Sequence, residues 1–171
     1  MNKDLYIKKL KSVENQSHLE NGYSHVIYQL FDIVLEDKYS IVDVTELNRK
    51  EGRFVAPKDL VAVTDFVITT SDFKFDDNDK NKILGCVEVK VRDDDVLRAE
   101  RLESNNGEIG YLENFNNKVI YTNGWIWKFS IDGKSKEINL RKKDTNAEYG
   151  RLLSMLCSIK WTKKRKKELK G

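Results

Sequence analysis

The chain has 171 residues and a net charge of +3, with 39% hydrophobic and 35% charged residues. That length supports one core of ordinary size, and the composition is globular rather than low-complexity. One proline argues against a long linker, no apolar run reaches the length of a membrane helix, and MNKDLYIKKLKS lacks the apolar centre of a signal peptide, so a cytoplasmic protein with no membrane partner is expected.

Residues 14 to 35 carry Val26, Leu30 and Ile33 at helical spacing, joined by Ile27, Phe31 and Leu35. The spacing predicts a helix that begins in earnest near Tyr23, after Gly22. Glu20 falls close to its start, where an acid suits the helix dipole. His18 and His25 belong to no Cys/His cluster, and surface or core histidines are the expected reading. YSIVDVTEL, residues 39 to 47, alternates as a strand, and Glu51-Gly52 gives the next segment turn character.

Two apolar runs then stand out. LVAVTDFVITT, from Leu60, holds one acid, Asp65; ILGCVEVKV, ending at Val91, holds Glu88 and Lys90. Residues two apart on a strand share a face, so Glu88 and Lys90 project together and Val87, Val89 and Val91 project the other way. A charge within such a run needs a partner, water or a metal, because burying it alone costs several kcal/mol. Adjacent strands presenting Asp, Glu and Lys would make a small oxygen-lined site beside an amine. Half-exposed strands whose polar faces happen to be charged are the plainer alternative. Between the runs, Asp72, Asp76, Asp77 and Asp79 lack the glycine and terminal glutamate of a calcium loop and read as a solvated hairpin tip.

RDDDVLRAERLES predicts a polar helix, and 108 to 116 a short one. VIYTNGWIWKF forms two β-rich runs around Asn123-Gly124, a strong hairpin signal, with Trp125 and Trp127 expected to pack rather than to stack on bases. Thr145 to Glu148 is a capping box, so a helix should start near Asn146 with Tyr149, Leu152, Leu153, Leu156 and Ile159 as its apolar stripe. Cys86 and Cys157 each sit in an apolar run and are expected as buried free thiols. Residues 160–171 carry a net +6, leaving the body at −3. This basic tail, with Lys163, Lys164, Arg165, Lys166 and Lys167, reads either as a solvated end or as a phosphate-backbone contact.

The order of helix with Glu20, strand, Asp65 strand, Glu88-Val89-Lys90 strand, helix and strand resembles the PD-(D/E)xK nuclease superfamily. Thr64 replaces the proline that precedes the aspartate. The hairpin Thr122-Asn123-Gly124 with Trp127 is similar to the TNG-x-x-W segment in nuclease domains of type I restriction R subunits. Where those domains carry a Gln-x-x-x-Tyr element, the nearby sequence here is Glu108-Ile-Gly-Tyr111, an acid with altered spacing, so that element is not carried over. The resemblance covers residues 14 to 131.

It implies an α/β, restriction-endonuclease-like core: a central mixed β-sheet of four to five strands flanked by helices, within residues 1–159. No Gly-rich phosphate loop of an ATP-driven motor is present, so a stand-alone domain is expected. The resemblance further implies a Mg²⁺ (or Mn²⁺) endonuclease acting on phosphodiester bonds, in DNA by preference. Asp65, Glu88 and the Val89 carbonyl would hold the ion, Lys90 would act on the water, and Glu20 would support a second ion or a water. Arg92, Arg98 and the tail lysines are candidate backbone contacts, and assembly as a homodimer or larger complex is open. The alternative is a catalytically inactive module that binds nucleic acid or a protein partner on the same fold.

Overall fold

The computed structural model describes residues 1–16, 19–45, 64–74, 82–105, 112 and 115–163. Outside them lie His18, Glu51-Gly52, where a turn was expected, residues 60–63, residues 75–81, expected as part of a hairpin tip, Glu108 to Tyr111 and the residues from Lys164 onward.

Helix α1 is Lys3–Gln16 and α2 is Glu20–Val34. Strand β1, Tyr39–Asp43, precedes β2, Phe66–Thr70, and β3, Ile83–Val89. Helix α3, Asp93–Asn105, leads to β4, Lys118–Thr122, then β5, Ile126–Ile131, and β6, Lys134–Asn139. Helix α4 is Thr145–Ser158. The strands form one mixed sheet in chain order. β3 and β4 run parallel, joined through α3 as a parallel pair requires, and the other neighbours are antiparallel. No helix among the described residues is long and apolar enough to cross a membrane.

Every residue of β3 and β4 is buried, because helices cover both faces of the sheet's centre. Phe31 of α2 meets Trp127 with ring centroids 6.0 Å apart, and Trp127 stacks on Phe129. Lys128, between those two aromatics, points to the opposite face, where its Nζ donates to the Leu97 carbonyl of α3. Helices α2 and α3 thus lie on opposite faces. Helices α1 and α4 pack beside α2, with Tyr6 and Tyr149 in ring contact at 5.3 Å. Trp125 and Trp127 are both core residues, as expected, and the guanidinium of Arg141 sits 4.6 Å over the Trp125 ring.

Several expectations are corrected. Among the described residues the sheet has six strands, not four to five. The sixth arises because Asp132 (φ 50°) and Gly133 (φ 78°) form a two-residue turn of left-handed residues, which matches hairpin twist. The first helical region is two helices, and Tyr6, Leu10 and Val13 give α1 an apolar edge of its own. Helix α2 starts at Glu20, before Gly22 rather than after it. Strand β1 stops at Asp43, whose Oδ1 accepts the Thr45 N–H and turns the chain. Phe115 to Asn117 is a turn, with Asn116 and Asn117 both at φ 55°. Asp144, not Thr145, caps α4: its Oδ1 accepts the Ala147 N–H at 2.9 Å, while the Thr145 hydroxyl faces the Leu140 and Lys142 carbonyls. Cys86 is buried, but Cys157 is exposed, one residue off the stripe formed by Tyr149, Leu152 and Leu156.

The Thr122–Trp127 turn is cross-tied. The Thr122 hydroxyl accepts the Gly124 N–H, and the Asn123 Oδ1 accepts those of Trp125 and Ile126. The Gly124 carbonyl accepts from both Tyr6 Oη and Trp127 Nε1. Gly124 lies at φ 84°, and a Cβ there would meet Leu10 Cδ2 at 2.5 Å. Gly124→Ala combines left-handed strain with overpacking and should cost about 2–4 kcal/mol. A thermal melt should show a fall of roughly 5–12 °C; an unchanged melt would mean that the turn and α1 are not packed as described.

Candidate active site

The site forms where β2 and β3 end. The ladder pairs Phe66 with Val87 and then stops. Thr64 is buried just beyond it, and its hydroxyl sits 3.1 Å from the Val87 carbonyl and 3.2 Å from that of Phe66. Thr64 therefore helps tie the two strand ends together. Asp65 follows in a bend, and its Oδ2 accepts the Val89 N–H at 2.7 Å. A side-chain carboxylate thus takes the place of the next ladder bond. Glu88 and Lys90 share a face, and Lys90 Nζ lies 2.6 Å from Glu88 Oε1. Glu88 Oε2 is buried without a hydrogen-bond partner. An orphaned carboxylate oxygen at this depth is costly, and a cation or a water would satisfy it.

The electrostatics follow from this crowding. Burial, opposed by the Val89 N–H, raises Asp65 to about 6, with the Glu20 carboxylate adding to the rise. Burial, then the Asp65 charge, pushes Glu88 up to about 8 against the pull of Lys90. Burial pulls Lys90 down, but Glu88, Asp65 and Glu20 outweigh it and hold the amine above its ordinary value. Glu20, in the first turn of α2, is therefore close enough to act on all three groups. A dication would relieve the repulsion between the two acids. Magnesium is commonly held by one or two carboxylates with the rest of its shell from outside the protein, so this donor set fits. Among the described residues, no group of three or more His, Cys, Asp and Glu side chains is placed to hold a metal.

The structure thus brings Asp65, Glu88, Val89 and Lys90 together, with Glu20 nearby. Arg92 is exposed in the short link to α3, and Arg98 is exposed 3.9 Å from Asp94. Lys163 is exposed beyond Thr162, whose carbonyl accepts from the buried Lys118 at 2.9 Å. Lys118 begins β4 and Thr122, level with Val89, ends it, so this anchor is about 13 Å along the strand from the acids. Lys164, Arg165, Lys166 and Lys167 lie outside the described residues.

Sequence reasoning missed the cleft beside Asp65. It has a volume of about 590 Å³ and is walled by Asn21, Ser24, His25 and Tyr28 of α2, with Asp43, Thr45 and Phe66. The helical spacing of 21, 24, 25 and 28 is the signal that could have found it. His25 Nε2 lies 2.8 Å from Gln29 Nε2, so the histidine is oriented on its own helix.

No family model matches this sequence, and no curated protein matches it. The fold is similar to part of a chain in the cryo-EM structure of the DrdV–DNA complex, with a TM-score of 0.57 and 11% identity. The likeness covers 91% of this chain and 14% of that one. At that identity the shared property is the mixed α/β fold.

Proposed function

We propose that the chain is a metal-dependent nuclease that hydrolyses phosphodiester bonds, in DNA by preference, on a restriction-endonuclease-like core. The observation that carries the reading is the meeting of Asp65, Glu88 and Lys90 at the end of β3, with one buried Glu88 oxygen unpartnered. A fold shared with part of a DNA-bound protein supports the choice of substrate.

Asp65 and Glu88, with the Val89 carbonyl, would hold Mg²⁺ or Mn²⁺, which when bound supplies Lewis-acid polarisation of the phosphate and a more acidic water. Lys90 places a positive charge where the phosphate oxygens gain negative charge, and its N–H groups can orient the attacking water. The Val89 N–H fixes the Asp65 carboxylate, so little reorganisation is needed there. Glu20 deepens the negative potential that attracts cations.

The specific observation favouring an inactive binding module is the lack of a three-ligand group among the described residues. Plasmid DNA incubated with Mg²⁺ or Mn²⁺ separates the two readings. Nicking that Asp65→Ala or Lys90→Ala abolishes supports the nuclease; nicking that survives in both removes this site, and none in the wild type favours the module.

A further inference from the structure

The Lys90 segment is gripped at both ends by the hairpin turn. Lys90 N–H donates to the Thr122 carbonyl at 2.9 Å. Three residues on, Asp93 Oδ1 accepts from Asn123 Nδ2 at 2.6 Å, and Asp93 Oδ2 lies 3.1 Å from Arg141 Nε. Arg141 also lies over Trp125, beside Asn123, and pairs with Glu14 of α1 at 2.6 Å. Thr122 and Asn123 are adjacent, so two consecutive residues hold the start and the finish of the link Lys90 to Asp93. The turn is itself rigid: Gly124 is fixed by Tyr6 and Trp127, and Asn123 is buried.

We propose that Asn123 is a positioning residue that sets where Lys90 stands relative to Glu88, by locking Asp93 to the Thr122 turn. The proposal rests on the nuclease reading for its consequence, but its geometry does not. Asn123 does two separable things. Its Oδ1 closes the turn, and its Nδ2 holds α3.

Asn123→Asp keeps the turn acceptor and sets a carboxylate against Asp93. The exchange Asn123→Asp with Asp93→Asn restores a donor and an acceptor in reversed order and leaves an oxygen for Arg141. Asn123→Ser, which keeps an oxygen for the turn but has no amide to reach Asp93, serves if Asn123→Asp does not fold. Hydrogen exchange of the Lys90 amide, read by NMR on the full chain, should speed up at least about tenfold in the single variants and return to within about threefold of wild type in the exchanged pair. In plasmid cleavage, kcat should fall by about tenfold or more with KM little changed, and the exchanged pair should recover it. An unmoved Lys90 amide in Asn123→Asp or Asn123→Ser, or no recovery in the exchanged pair, overturns the proposal. A wild type that cleaves nothing overturns the nuclease reading alone, since amide exchange still decides the positioning.

Discussion

Asp65→Ala and Lys90→Ala should each lower metal-dependent nicking by about 10²- to 10³-fold, the usual loss when a group facing developing charge is removed. The two substitutions fail for different reasons. Asp65→Ala takes away one carboxylate and leaves the Val89 N–H without its acceptor. Lys90→Ala leaves the carboxylates but removes the ammonium paired with Glu88. Lys90→Arg should recover little, because a guanidinium carries a different fork of donors from a single ammonium. Neither residue fills the core, since Asp65 and Lys90 are both part-exposed. Their melting temperatures should therefore stay within a few degrees of wild type, which a thermal scan beside the nicking assay would check. Loss of activity accompanied by unfolding would void the comparison, and Lys90→Met, which keeps the packed stem, then takes its place.

Glu88→Gln should make the protein more stable at alkaline pH and flatten its pH dependence. Glu88 titrates near 8 in the fold against an ordinary 4.5, and Asp65 near 6 against 3.8. Both folded values are raised, so the folded state binds protons more tightly than the unfolded chain. Their stabilising contribution is complete below the unfolded values and is lost as pH rises toward 6 for Asp65 and 8 for Glu88. At about 1.4 kcal/mol per unit, with the pull of Lys90 already contained in the raised value, Glu88 should account for on the order of 5 kcal/mol between roughly pH 4.5 and 8.5. For a chain of this length that is a fall of roughly 10–20 °C in wild type, largely absent in Glu88→Gln. Glutamine keeps an acceptor for Lys90 and brings an amide to the orphaned Oε2 position, without a charge to bury. Thermal scans across that range decide it. Wild-type stability that rises with pH would mean that Glu88 is ionised cheaply in the fold and that the burial argument is wrong. Added Mg²⁺ should recover more stability at the alkaline end, because binding requires both carboxylates ionised.

The parts of this fold that could be read from sequence are those with local chemistry. Glu88 and Lys90 lie two apart in an apolar run, so their shared face follows from strand geometry, and the 2.6 Å pair follows from that. The turn at Asn123-Gly124 was equally legible, because Gly124 takes a positive φ and the Asn123 amide oxygen closes the loop behind it. The turn at Asp132-Gly133 carried the same signal, but β6 is an edge strand with an exposed, charged face, and KSKEIN shows little apolar alternation. Helix α1 was hidden by its lysines, although Tyr6 and Leu10 are fully buried. The bond from Asp65 to Val89 spans 24 residues and depends on where the ladder ends, which no local pattern encodes. The same holds for Asn123 and Asp93, and for Trp161, which packs so closely on Gly85 that a Cβ there would lie 2.5 Å from its ring. For the site, sequence supplied the residue types, and tertiary structure supplied the unpartnered oxygen and the raised acids that make the pair fit a cation.

Calorimetric titration of the folded protein with Mn²⁺ at about pH 8 decides whether Asp65 and Glu88 share a dication. Saturable binding is expected in wild type, and Asp65→Ala and Glu88→Gln should each abolish it without unfolding the chain. Binding that persists unchanged in both variants, or a folded wild type that takes up no Mn²⁺, would contradict it.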